Sequence, residues 1–126
     1  DAVLLIVAAL SKRELERFFS LSCELGLDAL VETHDEAELE TALEIGAGLI
    51  GVNQRDLVTF EVDYERAARM AALIPDDVTA VAESGVRGPV DAATLRQAGY
   101  AAILVGETLV ASGDASTAVA ALREAV

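Results

Sequence analysis

The chain has 126 residues, 53% of them hydrophobic, with 22 acidic and nine basic side chains and a formal charge of −13. That hydrophobic content, with only two prolines, excludes a disordered chain, and the acidic balance argues against nucleic acid, whose phosphates are bound by clustered Lys and Arg. No apolar run approaches the roughly 20 residues that span a bilayer, no signal-peptide pattern leads the chain and its one cysteine cannot form an internal disulfide, so a cytoplasmic protein without membrane association is expected.

The first element is an apolar run, Ala2–Ala9, on which the chain opens almost directly and without an initiating Met. Its Val, Ile, Leu and Ala content suits a strand buried on both faces. Ser11 then caps a helix over Lys12–Leu25, within which Cys23 reads as a small packed residue. Gly26 sits where a left-handed helix end is wanted, before a second strand at Ala29–Glu32. Asp35 caps a helix over Glu36–Ile45, Gly46 ends it, and a third strand follows at Leu49–Asn53. Beyond a polar connection the pattern gives a helix at Tyr64–Leu73 and a fourth strand at Val78–Glu83. Pro89 suits the first turn of a helix over Val90–Ala98, Gly99 closes it, and a fifth strand runs from Ala101 to Gly106. A last helix covers Ala115–Glu124. The spacing of strand starts, at 2, 29, 49, 78 and 101, is that of a strand–helix unit. Five such units in succession imply a parallel α/β sheet with right-handed crossovers, in one domain over 1–126.

Ligands of parallel α/β folds bind beyond the carboxyl ends of the strands, and there the polar residues of this chain collect. The second strand ends "LVETHD", with Glu32 and His34 two apart on one face. The third gives Asn53, Gln54 and Arg55, with Asp56 as a local cap; the fourth ends "AESG" and the fifth "LVGET". A lone Glu at a strand end is usually a solvated loop residue. Glu32 and Glu83 each follow an apolar run directly, at matching strand positions, where burial would raise a carboxyl's pKa toward proton transfer and a nearby cation would lower it, the sequence leaving both open. His34 reads as a hydrogen-bonding loop residue, and no spacing suggests a metal site. Ser84, Gly85, Gly106 and Thr108 offer hydroxyls and open backbone on adjacent strands, which points to a phosphorylated small-molecule ligand.

The blocks "LLIVAAL", "ALVETHDEAELETALEIGAGLIGVNQRDLVTFEVD", "IPDDVTAVAESGV" and "AAILVGETL" resemble indole-3-glycerol-phosphate synthase, from the first residue to about Gly113. The resemblance implies a (βα)8 TIM barrel of which these are units four to eight. It implies a carboxy-lyase of tryptophan biosynthesis that closes an indole ring with loss of CO₂ and water, without a cofactor. Glu32 then corresponds to a general base, Asn53 to a substrate-orienting amide and Glu83 to the active-site carboxyl of the seventh barrel strand. Ser84, Gly85 and Gly106 correspond to the ligand and phosphate cradle, Arg55 to a cation facing an anionic group, and Leu4 to an apolar wall for the aromatic ring. Two departures stand out: Gln54 where a small residue or Asn is expected, and Glu107 where a small hydroxyl residue often follows the cradle glycine. His34 is assigned only a supporting role.

The family's catalytic lysines and one further Glu belong to barrel units outside these 126 residues, so this chain alone is expected to be inactive. The missing initiating Met favours a portion of a longer enzyme. A true (βα)5 half-barrel would expose edges that close by homodimerisation, by swapping, or by rearranging to an open flavodoxin-like sheet. The alternative function is a phosphate-binding half-barrel scaffold or assembly module. A different phosphate-binding barrel, such as a sugar-phosphate isomerase, is a third reading, and the "VNQRDL" block speaks against it.

Overall fold

The computed structural model describes residues 1–125. Five strands, β1 (Ala2–Ile6), β2 (Asp28–Thr33), β3 (Leu49–Asn53), β4 (Thr79–Glu83) and β5 (Ala102–Leu104), alternate with helices α1 (Lys12–Glu24), α2 (Glu36–Glu44), α3 (Arg66–Ala71), α4 (Pro89–Gln97), α5 (Glu107–Ala111) and α6 (Ala115–Glu124). The caps form where the sequence marks them. Ser11 and Glu14 make a reciprocal capping box, and the Asp35 carboxylate accepts from the Glu38 N–H at 2.8 Å. Gly26, Gly46 and Gly99 all take positive φ.

Several boundaries differ from the sequence pattern, β5 among them, which is only Ala102–Leu104. Val7–Ala9 wind into a 3-10 turn instead of extending β1, because a continuous apolar run does not distinguish strand from helix. Tyr64 and Glu65 stay outside α3, which lengthens the connection after β3. The unexpected helix α5 follows β5 at once, using residues whose apolar and polar spacing is too short to show a period. Cys23 is exposed rather than packed, since it lies at the margin of the Leu15–Phe19–Ser22 stripe in the last turn of α1.

All strands are parallel and their order is β1-β2-β3-β4-β5, with the first and last at the edges. This unreversed winding is that of a barrel wall. A flavodoxin-like order would place β1 inside the sheet. Side chains alternate between two faces. Leu5, Ala29, Val31, Ile50, Val52, Ala80 and Ala82 point to the helices and join Leu15, Leu39, Met70 and Leu95 in the core. Each fully buried side chain of this size contributes roughly 1.5–3 kcal/mol. The other face carries Leu4 and Leu30 in register, then Glu32 opposite Gly51, Gly51 opposite Val81, and Asn53 opposite Glu83. At the edges that inner face is open, with Leu4 45% and Leu104 53% exposed, while its middle is closed at the carboxyl end by two acids.

Candidate active site

Glu32 stands near the end of β2 and Glu83 at the end of β4, with β3 between them. They meet because β3 carries a glycine at the crossing point. A Cβ at Gly51 would lie 1.8 Å from Glu83 Oε1 and 2.9 Å from its Cδ. The Glu83 carboxyl therefore lies in the space a side chain would take and reaches Glu32. Both acids are buried, at 4% and 3% exposure. Burial first, then the hydrogen bond to Glu32 and its charge, push the Glu83 carboxyl up to about 8. At neutral pH Glu83 therefore keeps its proton and stands as an acid beside the Glu32 carboxyl.

His34 backs this pair. Its Nε2 is 3.3 Å from Glu32 Oε1, and its Nδ1 is 3.0 Å from Glu38 Oε2 on α2. The Glu38 carboxylate also accepts from the His34 backbone N–H at 2.8 Å. Asn53 is buried at the end of β3, where its Oδ1 accepts from the Arg55 N–H at 3.0 Å and its carbonyl accepts from Arg66 Nη1 at 2.9 Å. Gln54 ties neighbouring loops together: its Nε2 donates to the Ser84 carbonyl at 2.9 Å and its N–H to the Glu83 carbonyl at 3.0 Å.

Ser84 and Gly85 both take left-handed backbone, at φ of 58° and 67°. Ser84 is strained there, and a Cβ on Gly85 would also press on Val62 Cγ1 at 2.7 Å. The tight turn opens a cavity of about 1110 Å³ at the carboxyl ends of β4 and β5. Arg55, Glu83, Ser84, Gly85, Gly106 and Glu107 all line it. Arg55 is ion-paired with Glu107 and donates through Nη1 to the Phe60 carbonyl at 3.1 Å. Arg87, a further lining cation, lies over the Tyr64 ring at 4.1 Å. It grips Asp91 through two contacts of 2.8 Å, and that guanidinium holds the Asp91 carboxyl below the usual carboxylate range. Thr108 donates its hydroxyl to the Val86 carbonyl at 2.5 Å, so that proton is already committed.

Arg55, Glu83, Ser84, Gly85, Gly106, Glu107 and Thr108, all singled out from the sequence, thus surround one cavity, and Glu32 joins them through Glu83. Asn53 lies just beneath. Leu4 does not line the cavity, because β1 lies three strands from β4, roughly 14 Å across the sheet. Among the described residues no group of three or more His, Cys, Asp or Glu is arranged to hold a metal, and no helix is long and apolar enough to cross a membrane. Sequence reasoning missed Gly51 and Glu38. Only the interruption of "LIGVN" by a glycine hinted at the first.

A family model described as indole-3-glycerol phosphate synthase matches residues 1–122. The indole-3-glycerol phosphate synthase of Ruminiclostridium cellulolyticum is 46% identical over 123 residues, covering 98% of this chain and 47% of that protein. That of Mycolicibacterium vanbaalenii is 52% identical over 122 residues, covering 97% and 45%. The chain thus spans about half the length of these curated relatives. A multifunctional tryptophan biosynthesis protein of Schizosaccharomyces pombe is 46% identical over 114 residues, or 90% of this chain and 15% of that one. Among solved structures, thiamine phosphate pyrophosphorylase from Pyrococcus furiosus matches with a TM-score of 0.75 at 17% identity, covering 99% of this chain and 58% of that one, a likeness of fold alone.

Proposed function

The chain belongs to the indole-3-glycerol phosphate synthase family, and on that premise we propose that its residues form one part of a ring-closing carboxy-lyase site of tryptophan biosynthesis, in the cytoplasm. The substrate is 1-(o-carboxyphenylamino)-1-deoxyribulose 5-phosphate. Ring closure releases CO₂ and one water and leaves indole-3-glycerol phosphate. The observation that carries this reading is the buried Glu32–Glu83 pair at the edge of a cavity of about 1110 Å³. In that pair the ionised carboxyl accepts a proton during dehydration and the protonated one donates a hydrogen bond, so Glu32 serves as base and Glu83 as its acidic partner. Asn53 orients the substrate, the phosphate lies against Ser84, Gly85 and Gly106, and Leu4, outside that cavity on the open inner face, walls the aromatic ring at the far end of the ligand. Arg55 meets an anionic group of the ligand once Glu107 releases it.

Departure of the carbonyl oxygen calls for a cationic acid. Lys12, the only lysine of the sequence, pairs with Glu44 on the surface at 2.5 Å and does not line the cavity. The 126 residues alone are accordingly expected to bind ligand without turnover, and their open inner face to pair in a homodimer, which sedimentation reads directly. Calorimetry with indole-3-glycerol phosphate tests the site. Binding should weaken at least tenfold in Arg55→Ala and Gly106→Asp, and unchanged binding in both would sink the proposal.

A second reading, a phosphate-binding scaffold without chemistry, draws on the neutralisation of Arg55 by Glu107. The two part when the chain is mixed with a polypeptide carrying the first barrel units of a relative. Indole fluorescence growing with time supports the enzyme, and binding without product supports the scaffold.

A further inference from the structure

Three buried side-chain atoms among the described residues lack a hydrogen-bond partner, Glu32 Oε1, His34 Nε2 and Glu83 Oε1, and they lie in one cluster. The two carboxyls are almost equally buried, at 4% and 3% exposure, so loss of water does not decide which of them keeps a shared proton. The hydrogen bond between them is no better at deciding, since it serves either arrangement. What breaks the symmetry is the imidazole, which contacts Glu32 at 3.3 Å and makes no ion-pair contact with Glu83.

We propose that His34 is a positioning residue that assigns the proton of the Glu32–Glu83 pair, holding Glu32 as the carboxylate and leaving Glu83 as the acid. The geometry of the ring supports this. Carboxylate oxygens face both of its nitrogens, Glu38 Oε2 at Nδ1 (3.0 Å) and Glu32 Oε1 at Nε2 (3.3 Å). A neutral imidazole has one N–H, which the Glu38 contact takes up, whereas the form with a proton on each nitrogen also sets a charge 3.3 Å from Glu32 Oε1, an ion-pair contact without hydrogen-bond geometry. Its charge then bears on Glu32 directly and on Glu83 only from across Gly51. The ionisable groups in contact with the ring are Glu32 on the strand before it and Glu38 on α2; Glu83 from β4 meets Glu32 beyond, and Asp35, next in the chain, caps α2. Glu38 is itself held in place by the His34 backbone N–H at 2.8 Å, which fixes the ring from behind.

The catalytic consequence, a base on β2 and an acid on β4, rests on the function proposed above; the proton asymmetry does not. Carboxyl ¹³C NMR titration of the 126-residue chain reads that asymmetry without ligand or turnover, so a failure to bind product would leave it standing. In the parent chain the side-chain carboxyl carbons of Glu32 and Glu83 should each follow a single step, well separated, with that of Glu83 near 8. In His34→Gln both carbons should follow both steps, because the proton is then shared. Single unchanged steps in the variant, or two-step curves already present in the parent, overturn the proposal. A measurement on the parent alone covers a variant that fails to fold: long-range ¹H–¹⁵N spectra at pH 6 should report an N–H on both ring nitrogens of His34. A neutral tautomer there overturns the assignment.

Discussion

Replacing Glu83 by Gln should make the protein more stable at alkaline pH while changing little at acid pH. The side chain of Gln fills the same space over Gly51 and can donate to Glu32, but it never ionises. Glu83 does, and in the folded chain burial, then the hydrogen bond to Glu32 and its charge, raise its pKa from 4.5 to about 8. A carboxyl with a higher pKa folded than unfolded binds its proton more tightly in the folded state. Stability therefore falls as pH rises through the window from 4.5 to about 8, and levels off beyond it. At about 1.4 kcal/mol per pKa unit the upper bound is about 5 kcal/mol, and water reaching the open inner face reduces this to about 2–3 kcal/mol. Urea denaturation at pH 5.5, 7 and 9 measures the difference directly. The two proteins should differ by less than about 1 kcal/mol at the lowest pH, with Gln gaining steadily above it. Carboxyls away from the pair cancel in this comparison. Asp63 and Asp91, lowered by hydrogen bonds from Arg69 and Arg87, lose their contribution only at strongly acid pH, and do so in both proteins. Parallel stability curves from pH 5.5 to 9 would refute the burial argument, as would a parent chain that gains on the variant.

Gly51→Ala should cost about 1–3 kcal/mol of stability, since its Cβ meets Glu83 Oε1 at 1.8 Å and the carboxyl must swing away from Glu32. The NMR step of Glu83 should then move to lower pH, and an unmoved step would show that the contact is not maintained. Gly85→Ala combines a φ of +67° with a Cβ 2.7 Å from Val62, and a loss of about 1–3 kcal/mol is expected in thermal or urea unfolding. Glu107→Gln frees Arg55 and removes a like charge from the cavity; with Glu107 78% exposed and screened by solvent, inorganic phosphate should bind about three- to fivefold more tightly by calorimetry. Weaker binding would mean that the pair assists the ligand rather than competing with it.

The strands and every helix but α5 were legible because each carries its own signal, an apolar run ended by a cap or a glycine. Glu32 and Glu83 were legible for a related reason: a charge set directly after a buried run is a conflict that only a purpose or a partner resolves. Their contact was not, because it depends on register. Glu32 and Glu83 are 51 positions apart, and only the pairing of Glu32 with Gly51, and of Gly51 with Val81, shows that one carboxyl passes over a glycine to reach the other. Arg55 shows the same division. Its place at the rim could be read from "VNQRDL", yet its pairing with Glu107, 52 positions on, could not.

That pairing bears on how an anion enters. Both arginines lining the cavity carry a carboxylate, Glu107 on Arg55 and Asp91 on Arg87, so neither presents an unshared charge to the ligand. The two pairs are not equally easy to open. Arg87 is held by two contacts of 2.8 Å to Asp91 and by the Tyr64 ring at 4.1 Å, and its N–H donates to Asp91 as well, at 2.9 Å. Arg55 has one carboxylate partner, and that partner stands largely in water, where an ion pair is worth about 0–1 kcal/mol. A dianionic phosphate offers more charge and more acceptors than Glu107 does. On the function proposed above, Arg55 is therefore the guanidinium expected to change partners, with Arg87 staying fixed as part of the wall.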